Sequence, residues 1–95
     1  NDYWAISDIV LWELSVLDRQ RKISIRLGDS RVRRVIDALT IMPITFDVAQ
    51  TLHRLDFRSD PADEIIAATS IVNDAPLVTR DARILSSKIV PFAGR

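Results

Sequence analysis

RSDPADEIIAATSIVNDAPLVTRD, residues 58–81, is the stretch of this sequence that decides its fold. Asp60 followed by Pro61 is typical of an N-cap and the first position of a helix. Apolar residues then recur at helical spacing as far as about Asn73. The apolar run APLVT that follows predicts a strand inside a parallel sheet. Helices that connect such strands are crossovers, so the stretch predicts an α/β fold with helices covering both faces of a parallel sheet.

Upstream of this stretch, the sequence predicts three helices and one short strand. Ser7 is a suitable N-cap for a first helix that runs to about Arg19. DSRVRRVIDAL predicts a second helix, TIMPIT predicts the strand, and Thr45 can cap a third helix, FDVAQTLHRL. The apolar residues expected on the inner faces of the second and third helices are Val32, Val35, Ile36, Leu39, Phe46, Val48, Ala49, Leu52 and Leu55.

Downstream, a short helix from Ala82 and a last strand, KIVPF, complete one small predicted domain, residues 1–95.

The composition, 47% hydrophobic and 27% charged, is that of a folded chain. Thirteen basic and thirteen acidic side chains cancel, so contact with nucleic acid would need a local patch. The chain has no Cys, which excludes disulfides and thiolate metal sites. Without a leader pattern or a long apolar run, we expect a cytoplasmic protein with no membrane contact.

Two carboxylates of the opening stretch lie where parallel sheets carry their sites, beyond the carboxyl ends of the strands. Asp81 lies two residues past Thr79, the last residue of PLVT, and Asp63 lies in the first turn of the preceding helix. Because a crossover helix begins at that same edge, we expect Asp63 and Asp81 to converge. Their like charges repel, and a divalent cation removes that conflict. Oxygen ligands without Cys favour Mg²⁺ or Mn²⁺.

Each of these acids also has a purely structural interpretation, which the sequence leaves open. Asp60 and Asp81 can each cap a helix, and Asp63 can stabilise the positive end of its helix dipole. Glu13 lies in LWELSVL, the most apolar turn of the first helix, where it either faces solvent or has a function. His53 fits an ordinary position at the surface of an amphipathic helix.

Taken together, SDIVLWELSVLDRQRKI and DPADEIIAATSIVNDAPLVTRDARI resemble the PIN-domain ribonucleases, and specifically the VapC toxins of bacterial toxin–antitoxin pairs. The resemblance covers about residues 6–90. It implies a PIN-like three-layer fold and a metal-dependent endoribonuclease with Mg²⁺ or Mn²⁺ at the C-terminal edge of the sheet. It also implies RNA as substrate, a cognate antitoxin as partner and a homodimer.

The resemblance assigns roles to particular residues. Glu13 matches the family's acid on the early helix, Asp63 the acid that opens the D-x-x-I-A-A-T helix, and Asp81 the acid after the strand ending in VT. These three are expected to be catalytic metal ligands, with Glu13 also orienting or deprotonating the attacking water. Asp60 matches an Asp of this subgroup and is expected to support the site, as is the Thr79 hydroxyl at the end of its strand. Arg80 and Arg83 flank Asp81, where they either hold the RNA backbone or are solvated surface charges.

Two features depart from the family pattern. Position 64 is Glu where the subgroup usually has Arg, which places an extra negative charge beside the expected site. The family opens with an apolar strand ending in Asp, and nothing before Ser7 matches it. The chain is therefore expected to lack this first, central strand and its metal ligand.

These departures keep a second function open, a PIN-like module that binds an antitoxin or partner protein without cleaving RNA. A phosphate-receiver domain also gathers acids at strand ends. It fits poorly because TIMPIT contains no phosphoacceptor Asp and Lys88 is poorly placed for the required Lys.

Overall fold

The computed structural model describes residues 4–77 and 82–92. Its internal contacts divide the chain into two compact units, Asn1–Met42 and Pro43–Arg95. In chain order, the elements are β1 Ala5–Ser7, α1 Asp8–Arg19, α2 Ser30–Asp37, β2 Thr40–Met42, α3 Phe46–Thr51, a 3₁₀ turn Leu52–Arg54, α4 Pro61–Asn73 and α5 Ala82–Leu85. Within the described residues, no helix has the length and apolar content needed to span a bilayer.

The first unit contains a parallel pair of strands, β1 and β2, in which Ala5 lies opposite Thr40 and Ser7 opposite Met42. The chain between them forms α1 and α2, as a parallel pair requires a crossover connection. The predicted α/β class with a parallel sheet is therefore confirmed. No strand is predicted before α1, and β1 is therefore a difference from the prediction, because three residues are too few to show an alternating pattern.

Local polar contacts fix both ends of α1. The Ser7 hydroxyl accepts a hydrogen bond from the Ile9 N–H at 3.3 Å, which confirms Ser7 as the N-cap. At the other end Arg21 adopts the left-handed conformation, φ 55°, that closes many helices. The Asp18 carboxylate then accepts a hydrogen bond from the Arg26 guanidinium at 3.1 Å. No residue of α1 is fully buried, and these polar contacts mark where the helix begins and ends.

The predicted inner faces of α2 and α3 are partly wrong. Val48 and Leu55 are buried as predicted, whereas Val35 is 62% exposed and Phe46 is 75% exposed. Ala49 is exposed as well. In α3 the buried face is set by Val48 and Thr51, three residues apart. Phe46, two residues before Val48, therefore points to the opposite side of the helix.

The second unit has an apolar core to which the 3₁₀ turn, α4, α5 and the segments that follow them contribute residues. Its buried residues are Leu55, Phe57, Ala67, Ile84, Val90 and Phe92, with Leu52, Ile71 and Leu77 packed against them. Leu77 and Phe92 form a parallel β-bridge, and the Leu77 N–H donates to the Pro91 carbonyl at 2.8 Å. The two predicted strands APLVT and KIVPF therefore meet at this point, although residues 78–81 lie outside the described part.

Most of KIVPF is not a strand, so that prediction is wrong for the residues before the bridge. The buried hydroxyl of Ser87 accepts hydrogen bonds from the Ile89 and Val90 N–H groups, each at 3.2 Å. These two N–H groups are consequently turned toward the Ser87 side chain and not toward a neighbouring strand. Only Phe92 of this segment takes part in a β-bridge.

Asp56 joins the loop after the 3₁₀ turn to the segment after α5. Its carboxylate accepts hydrogen bonds from the Lys88 N–H and from the Ser87 hydroxyl, each at 2.6 Å. The Lys88 backbone hydrogen bond, followed by that of Ser87, lowers the pKa of Asp56 below its usual value. Because this contact closes a long segment of chain, it ties the last described residues to the core.

The lowered pKa of Asp56 makes its contribution to stability depend on pH. A carboxyl group whose pKa is lower in the folded state stabilises that state above the unfolded pKa, about 3.9, and loses the effect as the pH falls through the folded value. Asp56→Asn is expected to reduce the free energy of unfolding by about 1 kcal/mol at about pH 7, a modest value because the carboxylate is exposed. The difference should shrink below about pH 4.

Urea unfolding of wild type and Asp56→Asn at neutral pH and at about pH 3 measures this change. A difference between the two proteins that is the same at both pH values would show that ionisation of Asp56 does not contribute.

Candidate active site

Asp63 is the predicted site residue whose surroundings are best defined. It is the third residue of α4 and is half-buried. Its Oδ2 atom accepts a hydrogen bond from the Ser59 hydroxyl at 3.0 Å. The positive end of the helix dipole also favours a negative charge in this first turn. Asp63 is thus a carboxylate held in place through one oxygen.

Glu64 is turned toward the backbone in front of α4. Its Oε2 atom accepts a hydrogen bond from the Ser59 N–H at 2.9 Å. An N–H near a helix start has no partner within the helix, so a carboxylate there satisfies it. The extra charge that the sequence places beside the site is therefore engaged in a capping contact.

Asp60 occupies the N-cap position of α4, but its side chain makes no capping hydrogen bond. Its backbone has the extended conformation expected of an N-cap, φ −62° and ψ 147°, and its carbonyl accepts the Glu64 N–H at 3.1 Å. The predicted position is confirmed, whereas the interpretation of its carboxylate as the cap is wrong. The side-chain hydrogen bonds at this helix start are instead the two that Ser59 donates to Asp63 and Glu64, and the Asp60 side chain is exposed.

The other predicted site residues are distributed over the chain. Glu13 is half-buried on α1, in the first unit, whereas Asp63 belongs to the second unit. Arg83 is exposed on α5, and His53 is exposed as expected of a surface residue. Three further predicted residues lie outside the described part, namely Thr79, Arg80 and Asp81.

Comparison with known proteins identifies the family. The PIN domain family model matches residues 1–88. The chain belongs to the PIN-domain family. It is 33% identical over 90 residues to "Ribonuclease VapC22" of Mycobacterium tuberculosis, and the alignment covers 92% of this chain and 69% of that protein. No solved structure matches the chain.

These matches confirm the resemblance to VapC-type PIN-domain ribonucleases. They also agree with the small parallel sheet and the helices of the structure, so the predicted fold class stands. The assignment of individual site residues stays a prediction.

The donor chemistry of the PIN domain fits a hard divalent cation. The chain contains no Cys, and the Asp63 carboxylate keeps its Oδ1 atom without a hydrogen bond in the described part of the chain. Carboxylate oxygens are the ligands that Mg²⁺ and Mn²⁺ prefer. Among residues 4–77 and 82–92, no three His, Asp or Glu side chains gather closely enough to hold a metal ion. Asp81, which the prediction needs, is not one of these residues.

Sequence reasoning missed the part that Ser59 plays in this PIN domain. Ser59 lies immediately before the N-cap of α4 and contacts both acids of the first turn, Asp63 and Glu64. The available signal was a hydroxyl residue directly before DPADE. That signal does not say which atom the hydroxyl bonds, because the choice depends on side-chain torsions.

Proposed function

We propose that this PIN domain is a metal-dependent endoribonuclease of the toxin–antitoxin type, which hydrolyses RNA phosphodiester bonds. The environment of Asp63 supports this proposal most strongly. The Asp63 carboxylate is half-buried at a helix start and held through one oxygen. A carboxylate held in this way is better suited to act as a metal ligand than a mobile carboxylate on the surface. The similar protein from Mycobacterium tuberculosis is named a ribonuclease.

In the proposed mechanism, Glu13, Asp63 and Asp81 hold Mg²⁺ or Mn²⁺. When bound, such an ion lowers the pKa of a water ligand, and its positive charge offsets the negative charge on the phosphoryl oxygens. Glu13 orients or deprotonates the attacking water. Asp63 contributes a carboxylate oxygen whose direction is set before the substrate binds.

Other side chains are proposed to support the reaction from outside the ligand set. Asp60 and Thr79 support the acids, and Arg80 and Arg83 contact the RNA backbone. Unpaired RNA segments are the more accessible substrates, since their phosphates and bases are not held in a helix. We further propose that a cognate antitoxin neutralises the activity and that the PIN domain acts as a homodimer in the cytoplasm.

Cleavage of a labelled single-stranded RNA by the purified chain tests this function. With Mn²⁺ or Mg²⁺ present we expect cleavage, and with excess chelator we expect a rate at least about 100-fold lower that returns when Mn²⁺ is restored. Equal cleavage in chelator would remove the metal from the mechanism. Failure to cleave, together with binding to the antitoxin, would favour the alternative of a PIN-like module that binds its partner without catalysis.

A further inference from the structure

Ser59 donates a main-chain hydrogen bond to one of the two neighbouring acids of α4 and a side-chain hydrogen bond to the other. Its backbone N–H donates to Glu64 Oε2 at 2.9 Å, and its hydroxyl donates to Asp63 Oδ2 at 3.0 Å. One residue thus holds two adjacent carboxylates, each through one oxygen. Ser59 is itself half-buried, so water competes less for these hydrogen bonds than it would at an open surface.

The two contacts have different consequences for the acids. The bond to Glu64 uses a main-chain donor that any residue except Pro would supply at position 59. The bond to Asp63 uses a hydroxyl group, which only a few side chains provide. The side chain of Ser59 therefore acts on Asp63, whereas its main chain acts on Glu64.

We propose that Ser59 is a positioning residue of the PIN active site, which holds the Asp63 carboxylate in the orientation that a divalent cation requires. This proposal rests on the proposed function. Hydrogen bonds to a ligating carboxylate restrict its rotation and raise the affinity of the metal site. The hydrogen bond from Ser59 to Oδ2 restricts the rotation of the Asp63 carboxylate in this way.

The geometry also explains how the proposed metal site can accommodate a second acid, Glu64, directly beside Asp63. A free carboxylate next to Asp63 would compete with it for the cation, because both are oxygen ligands of the same kind. Its hydrogen bond to the Ser59 N–H turns Glu64 toward the backbone. Ser59 thus separates a structural acid from a metal-binding acid within two consecutive residues.

Titration of the whole chain with Mn²⁺ by calorimetry tests this role. Ser59→Ala is expected to weaken Mn²⁺ binding roughly tenfold, as loss of an outer contact to a metal ligand does. Ser59→Thr keeps the hydroxyl and should bind Mn²⁺ within about twofold of wild type. RNA cleavage by Ser59→Ala should recover at saturating Mn²⁺, which a general loss of folding would not allow.

Glu64→Gln is the matched control, since it removes the charge of the acid that binds the Ser59 main chain. We expect it to lower the melting temperature and to keep the Mn²⁺ affinity within about threefold of wild type. An equal loss of affinity in Glu64→Gln and Ser59→Ala would overturn the separation of the two acids.

The outcomes distinguish this proposal from the proposed function. If wild type binds Mn²⁺ and cleaves RNA, and Ser59→Ala binds Mn²⁺ as tightly, the role of Ser59 is wrong and the function stands. If wild type neither binds Mn²⁺ nor cleaves RNA in a metal-dependent way, the function is wrong and the role of Ser59 falls with it.

Discussion

Asp63→Asn is expected to lower the rate of metal-dependent RNA cleavage at least about 100-fold, the scale typical for loss of a group that stabilises the transition state. The substitution removes the negative charge and one oxygen that the proposed mechanism assigns to the cation. Asn keeps an oxygen that can accept the Ser59 hydroxyl, so the start of α4 should remain folded. The rate constant at saturating Mn²⁺ and the far-ultraviolet circular dichroism spectrum are the measurements.

Asp47→Asn is the matched control for this experiment. Asp47 is also an acid in the first turn of a helix, α3, and its side chain is exposed. We expect its cleavage rate to stay within about twofold of wild type, as is usual for a surface substitution. A cleavage rate of Asp63→Asn equal to that of wild type would remove Asp63 from the mechanism. Equal losses in both variants would point to helix stability as the cause.

Phe57→Ala is expected to reduce the free energy of unfolding by about 3–4 kcal/mol, whereas Phe46→Ala should change it by less than about 0.5 kcal/mol. Phe57 is 8% exposed and lies in the core of the second unit, whereas Phe46 is 75% exposed. Truncation of Phe57 leaves a cavity, and truncation of Phe46 removes a side chain that mostly contacts water. Urea denaturation followed by circular dichroism measures both changes.

The expected loss in Phe57→Ala approaches the whole stability of many small domains. Phe57→Leu therefore serves as a milder variant, with an expected loss of about 1 kcal/mol. If Phe46→Ala proves as destabilising as Phe57→Ala, the inner face predicted from the sequence would be right and the exposed position of Phe46 wrong.

The helix starts could be predicted because their determinants are local. Ser7 and Thr45 each accept a hydrogen bond from a backbone N–H within three residues, and Pro61 follows the N-cap of α4 directly. A contact of this range depends on the neighbouring residues alone, so residue type and spacing were sufficient.

The faces of the short helices could not be predicted in the same way. α3 has only six residues before it tightens into a 3₁₀ turn, which changes the spacing of side chains around the axis. Phe46 and Val48 lie two positions apart within α3, on opposite sides of the helix, and an apolar pattern over six residues does not say which of the two sides faces the core. The segment KIVPF failed for a different reason, because its N–H groups bond to Ser87.

In the candidate site too, features set by neighbouring residues could be predicted from the sequence, whereas contacts set by side-chain torsions or by distant residues could not. Asp63 was found from its position in the first turn of a crossover helix and in a family motif, whereas the contacts of Ser59 with Asp63 and Glu64 depend on side-chain torsions. The bond from Ser87 to Asp56 joins residues 31 positions apart, a pairing that no spacing rule predicts. Sequence therefore indicated which acids to consider, and the structure showed how one of them is held.

Titration with Mn²⁺ of wild type and of three single variants, Glu13→Gln, Asp63→Asn and Asp81→Asn, tests the proposed metal-dependent chemistry most directly. If the three carboxylates share one cation, wild type should bind one Mn²⁺ per chain, and each variant should lose at least about tenfold in affinity for it. Three variants that bind Mn²⁺ as tightly as wild type would contradict a shared metal site.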